Sequence, residues 1–270
     1  MLSLEDKEFN YITSYIKTHY GVNLEKKRHL IEGRLSNHIA ALGFSNYMEY
    51  FENAIQDKKG QEMTSLINKL TTNHTYFLRE KSHFDFYRDQ VLPWIDHNLR
   101  CKDLRVWSAG CSSGQEPYTL AILAADYLGG NHSGWDTTLL ASDISNKALE
   151  TAKKGIYSGD ELSHMPDLWK SKYFVRVDDQ HFQVSESIRK SVAYRYFNLL
   201  SPFSFKRPFH AIFCRNVMIY FDMPTKNEIV NKFYNALLPG GYFFIGHSES
   251  LSSCKHSFKY VMPSVYRKEG

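Results

Sequence analysis

Hydrophobic positions recur at three- and four-residue steps through the first 80 residues of the chain. Phe9, Ile12, Ile16 and Tyr20 form one apolar stripe, stopped by Gly21; Ile31, Leu35, Ile39 and Leu42 form a second, stopped by Gly43. Two further stretches of the same period cover Tyr47 to Ile55 and about Gln61 to Leu70. The pattern predicts a small all-α module. From about residue 100 it changes to short apolar runs separated by amphipathic stretches. Runs at 104–108, 138–142, 209–214 and 242–245 read as strands. Helices are expected at 117–128, 146–154 and 224–238, the last broken by Pro239-Gly-Gly241. Alternation of this kind predicts a mostly parallel sheet covered by helices on both faces. Three runs near 173–177, 181–184 and 192–197 depart from it and predict a small antiparallel β insertion. The expected division is a helical domain and linker at 1–80, then an α/β domain at 81–270 with the β subdomain at about 170–197.

Composition narrows the function classes. The chain has 270 residues, 43% hydrophobic and 15% aromatic, enough to bury a sizeable core. Its formal charge is +4, and residues 1–80 hold ten basic and ten acidic side chains, so no basic tail suggests nucleic-acid binding. No stretch approaches the roughly 18–20 apolar residues of a membrane-spanning helix. The N-terminal MLSLEDKEF is acidic where a secretory signal would be basic. Four cysteines (Cys101, Cys111, Cys214, Cys254) show no CxxC or CxxH spacing, so neither a zinc site nor a disulfide framework is expected. A reduced, cytoplasmic, monomeric protein without a metal is the expectation.

Ligands of open α/β sheets sit at the carboxyl ends of the strands, where strand order reverses. After the first expected strand, Gly110 and Gly114 flank Cys-Ser-Ser, a GxxxG spacing that is neither a P-loop nor a dinucleotide fingerprint. Asp143 ends the second strand. It can accept the two cis hydroxyls of a ribose, or cap the following helix. Glu116 opens the helix after the glycine turn. It can complement the helix N-terminus, or receive the cationic end of a ligand. S-adenosylmethionine, with a ribose, an ammonium and a sulfonium, satisfies both carboxylates.

Several blocks go beyond fold-level likeness. They are 70–80 (LTTNHTYFLRE), 106–118 (VWSAGCSSGQEPY), 141–144 (ASDI), 198–200 (NLL), 212–222 (IFCRNVMIYFD) and 246–249 (GHSE). With the helical N-terminal module, they make the chain resemble the CheR family of chemotaxis receptor methyltransferases, which are protein-glutamate O-methyltransferases. The resemblance covers nearly the whole chain. It implies a class I, Rossmann-like S-adenosylmethionine-dependent methyltransferase sheet behind an all-α domain, with S-adenosylhomocysteine as product. It implies a cofactor site of Asn73, Thr75, Arg79, Gly110, Glu116, Asp143, Asn198, Leu199, Arg215 and Asn216, with Arg79 and Tyr220 in the catalytic site. One departure is Gln115, where the family often has an acidic residue.

Such a reaction needs no general base, because a glutamate side chain in water, with a pKa of about 4.3, is already ionised at neutral pH. The implied substrates are glutamates on the long cytoplasmic helices of chemoreceptors. Lys27, Arg34 and His38 fall on one side of the second expected helix, with Lys26 and Arg28 adjacent, and this basic side is expected to meet the receptor. Three rivals stand beside this reading. A nucleic-acid methyltransferase is disfavoured by Arg215-Asn-Val-Met where an Asn/Asp-Pro-Pro-aromatic loop would be expected. Retention of Glu116, Asp143, Arg79 and Tyr220 argues against a non-catalytic docking module. The missing glycines argue against a nicotinamide dehydrogenase.

Overall fold

A computed structural model describes residues 2–57, 60–71, 74–98, 102–129 and 134–270. The chain forms two compact units, one of residues 2–74 with 220–226, the other of 75–219 with 227–270.

Among the described residues the first unit holds α1 (Asp6–Tyr20), α2 (Arg28–Ala41), α3 (Tyr47–Gln56) and α4 (Gln61–Leu70). α1 starts in a capping box, Glu5 and Glu8 each accepting from the other's backbone N–H, which satisfies two donors that a helix start leaves open. Phe9, Ile12 and Ile16 of α1 lie buried in one apolar cluster with Ile31, Leu35 and Ile39 of α2. Each such side chain contributes about 1.5–3 kcal/mol on leaving water. The distant segment 220–226 completes the unit. Val22 and Phe221 form an antiparallel bridge, Asn23 N–H donates to the Tyr220 carbonyl (2.8 Å), and Lys17 pairs with Asp222 (3.0 Å).

The second unit opens with α5 (Lys81–Phe86), a π-helical turn (Tyr87–Val91) and α6 (Leu92–Asn98). It continues through β1 (Val106–Ala109), α7 (Gln115–Leu128), β2 (Leu139–Asp143), α8 (Asn146–Lys154), β3 (Ile156–Ser158), α9 (Asp167–Tyr173), β4 (Phe174–Arg176), β5 (His181–Val184) and α10 (Glu186–Lys190). β6 (Val192–Tyr196), β7 (Phe209–Cys214), α11 (Met223–Ala236), β8 (Leu237–Ile245), β9 (Lys259–Met262) and β10 (Val265–Arg267) follow; the first four residues of α11 belong to the helical unit. The main sheet has the order β6-β2-β1-β7-β8-β10-β9. Its first five strands are mutually parallel, and β10 is antiparallel to both its neighbours. Strand order therefore runs outward from β1 through β2 to β6, then resumes on the other side of β1 at β7. The reversal leaves a crevice at the carboxyl ends of β1 and β7. Trp107, fully buried, anchors one face of the sheet against Phe203, Phe205, Phe209 and Phe233, and its Nε1–H donates to Ser142 Oγ (2.8 Å).

Two expectations are corrected. Val192–Tyr196 is not part of the antiparallel insertion. It pairs parallel with β2 along five residues and forms the edge of the main sheet. The small sheet instead has the order β3-β5-β4, taking its outer strand from Ile156–Ser158. Val192 and Tyr194 are buried at alternate positions, as one covered face requires, and that alternation suits either sheet equally. Likewise Pro239-Gly-Gly241 does not break a helix. α11 ends at Ala236, and Leu237 already pairs with Phe209. The ladder then shifts, Ala211 meeting Tyr242, so the proline sits in a bulge where its missing N–H costs no ladder bond.

His210, at the start of β7, is fully buried, and both ring nitrogens face Arg105: the backbone N–H at 3.3 Å and Nη2 at 2.7 Å. Burial first, then Arg105 and Arg207, outweigh Asp103 and push its pKa down to about 4. Below pH 6.5 the unfolded chain takes up a proton that the folded one refuses until about pH 4, so this stability is present above pH 6.5 and lost as pH falls. Urea unfolding at pH 7 and pH 5 should show wild type losing about 2 kcal/mol more than His210→Gln.

Candidate active site

The loops at the carboxyl ends of β1, β2, β7 and β8 carry the charged residues Glu116, Asp143, Arg215 and Glu249. After β1 the chain turns through Gly110 and Gly114, with φ of 88° and 98°, in the left-handed region that side chains rarely adopt. A Cβ at Gly110 would run into Val217, and one at Gly114 would stand 2.8 Å from Ala152 Cβ and 2.9 Å from the Tyr157 hydroxyl. Protein packing, not only ligand approach, thus requires both glycines. The Tyr157 hydroxyl donates to the Ser113 carbonyl (2.6 Å), so strand β3 of the small sheet props the turn from below.

Glu116 lies in the first turn of α7. Its Oε1 accepts from Ser108 Oγ (2.7 Å) and its Oε2 from Arg215 Nη1 (2.9 Å). Arg215, just past β7, spans the crevice. Its guanidinium side chain is 3% exposed, pairs with Glu80 Oε2 (3.0 Å), donates to the Arg79 carbonyl, and stacks 5.1 Å from the Phe84 ring. A charge this deeply buried must be paired, and Nη1 and Nη2 carry the pairing while Nε has no hydrogen-bond partner among the described residues. Burial alone would raise the Glu80 carboxyl, but Arg215 and hydrogen bonds from His247, Arg215 and Asn216 bring it below its usual range. Two carboxylates thus share one guanidinium, leaving the trio net negative.

Asp143, at the end of β2, uses one lone pair of each oxygen on backbone: Oδ2 accepts Ser112 N–H (2.8 Å) and Oδ1 accepts Ser145 N–H (2.8 Å). The expected alternative, that Asp143 caps α8, goes to Ser145, whose hydroxyl accepts Ala148 N–H (3.1 Å). Ile144 N–H also donates to it, and a carboxylate has about four acceptor sites, so acceptor capacity for a hydroxyl donor remains on Asp143. Burial raises its pKa, and the backbone donors oppose the shift.

Sequence reasoning did not single out Glu80 or Glu249. Glu249, after β8, accepts N–H groups from Gly246 (2.6 Å), Asn216 (2.9 Å) and Ile219 (3.1 Å), and so fixes the loop after β7. Both lie in the blocks 70–80 and 246–249 that carry the family resemblance, and that was the signal that could have found them. Four of the five non-glycine residues with left-handed backbone among the described ones, Leu78, Glu80, Ser112 and Asn216, occupy these loops. Such conformations cost about 1–3 kcal/mol each and gather where a site demands them.

Other expected residues fall elsewhere. Asn198 and Leu199 follow β6, with Asn198 Oδ1 accepting Leu200 N–H (3.0 Å) and Leu199 buried. Thr75 and Arg79 are half-buried in the first segment of the second unit. Asn73 lies outside the described residues. Tyr220 belongs to the helical unit and packs on its core. Of the docking residues, Lys26 and Lys27 are exposed and precede α2. Arg28 instead pairs with Asp6 and covers the Phe9 ring, and Arg34 donates to the Lys69 and Thr71 carbonyls at the end of α4. His38 packs edge-on against Tyr50, and partial burial lowers its pKa. The structure therefore does not gather the five into one free basic face.

The doubly wound sheet, the glycine turn and the carboxylate at the end of β2 together define an S-adenosylmethionine-dependent methyltransferase. Residues 73–266 match the family model described as CheR methyltransferase, SAM binding domain, and residues 7–71 match CheR methyltransferase, all-alpha domain. The chain is 40% identical to a chemotaxis protein methyltransferase of Borreliella burgdorferi over 99% of its own length and 96% of the relative's. It is 36% identical to the chemotaxis protein methyltransferase of Escherichia coli over 98% and 92%. The chain belongs to the CheR methyltransferase family. No helix among the described residues is long and apolar enough to cross a membrane.

Proposed function

We propose that the protein transfers the methyl group of S-adenosylmethionine to glutamate carboxylates of chemoreceptors, forming methyl esters and S-adenosylhomocysteine in chemotactic adaptation. The observation that carries this reading is the charge at the strand ends: Glu80 and Glu116 share the buried Arg215, and Asp143 stands at the end of β2 held by backbone N–H groups. A net negative site that still offers acceptor positions on Asp143 fits a cationic nucleoside donor, so the residues suit the cofactor. When bound, S-adenosylmethionine supplies an electrophilic methyl on a sulfonium.

The chain's own groups do the rest. Asp143 receives ribose hydroxyls, Glu116 holds the ammonium end, and Asn198 and Leu199 border the adenine. Arg215 acts as a positioning residue, holding Glu116 and Glu80. Arg79 is suited to grip a carboxylate through two parallel hydrogen bonds, and the Tyr220 hydroxyl to orient a carboxylate oxygen without taking its proton. No base is required, and alignment can supply on the order of 7–11 kcal/mol. A substrate on the cytoplasmic helices of receptors places the enzyme in the cytoplasm.

Incubation with radiolabelled S-adenosylmethionine and receptor-bearing membranes should yield label in the receptor that mild base releases as methanol. Base-stable label, or label in nucleic acid, would exclude the reading. Charge reversal at the exposed Lys26 and Lys27 is expected to raise the Michaelis constant for receptor several-fold and leave donor affinity unchanged; kinetics identical to wild type would remove the docking role.

A further inference from the structure

We propose that Glu80, His83 and His247 form a binding site for a divalent transition-metal ion of the zinc type. The sequence offered no metal signature, because its usual spacings are absent. Here the ligands come from the start of α5 and from the turn after β8. One ligand atom from each residue lies within 4.8 Å of the other two. Glu80 Oε2 and His83 Nδ1 are 3.5 Å apart. Two ligands about 2.1 Å from a zinc ion at a tetrahedral angle stand about 3.4 Å from each other, so this pair already has the required bite. The His83 and His247 rings meet edge to face at 4.7 Å and 82°.

The second observation is His83 itself. The ring is fully buried, yet its nitrogens have only weak partners among the described residues: the Pro263 carbonyl, and Glu80 Oε2 at 3.5 Å from Nδ1, with no well-formed hydrogen bond. A buried polar side chain left without a well-formed hydrogen bond costs free energy and calls for an explanation. A metal ion supplies one, because a neutral imidazole is a ready ligand. His247 is exposed, which gives the ion a way in, and a water would complete four-coordination. Arg215 opposes the ion, since its Nη2 already occupies one lone pair of Glu80 Oε2 at 3.0 Å. Glu80 also accepts the Asn216 amide on Oε1 (3.3 Å) and the His247 backbone N–H, so of about four acceptor sites one remains for the metal. Affinity is therefore expected to be moderate rather than that of a closed structural site.

The full-length protein should be titrated with Zn²⁺ by calorimetry and with Co²⁺ by visible spectroscopy. The expected result is one saturable equivalent, a tetrahedral cobalt spectrum without a sulfur-to-cobalt charge-transfer band, and at least tenfold weaker binding in His247→Ala. His247 is at the surface, so this variant decides the matter even if His83→Phe fails to fold. Equal affinity in wild type and His247→Ala, a thiolate spectrum, or no saturable binding would each overturn the site and leave His83 as a core histidine.

Discussion

Replacing Arg215 by leucine is expected to destabilise the protein by about 3–5 kcal/mol, the range for breaking a buried ion pair from one side. The guanidinium is the shared partner of Glu80 and Glu116, and its removal strands two carboxylates in a place from which water is nearly excluded. Part of the loss should return when Glu80 and Glu116 are also changed to glutamine, because the cost then lies in uncompensated charge and not in a lost contact. Urea unfolding of the single and triple variants measures both. A triple variant no more stable than Arg215→Leu would mean that the arginine acts by packing on Phe84.

Asp143→Ala is expected to weaken S-adenosylhomocysteine binding roughly 100-fold by calorimetry. Two hydrogen bonds to a carboxylate, at about 1.5 kcal/mol each, account for about 3 kcal/mol, and each 1.4 kcal/mol is a factor of ten. The same substitution frees the Ser112 and Ser145 N–H groups, so the glycine turn also loses a clasp. Asp143→Asn keeps one acceptor oxygen and should recover part of the affinity. An unchanged dissociation constant in Asp143→Ala would place the ribose elsewhere.

Much of the fold was legible because the relevant signals are local. Helix α4 and strand β7 have the expected bounds, since an apolar period between clear stops defines them. Strand partnership was not legible: Val192–Tyr196 alternates as any half-covered strand does, and only tertiary pairing with β2 decides its sheet. The candidate site was read in the same uneven way. Glu116 and Asp143 were found because each follows a strand at a turn. Glu80 and His83 belong to a segment with no strand before it, and Glu249 acts by collecting backbone N–H groups, a role that residue type alone does not reveal. Arg28 and Arg34 find partners on neighbouring elements, which helical periodicity does not register.

The segment 220–226 is built into the helical unit although the chain on both sides of it belongs to the other. Cutting after residue 74 would therefore not release an intact module. Such a fragment would lack the Phe221 bridge and the Asp222 partner of Lys17, and exchanging the N-terminal region between relatives would demand that this short return strip travel with it.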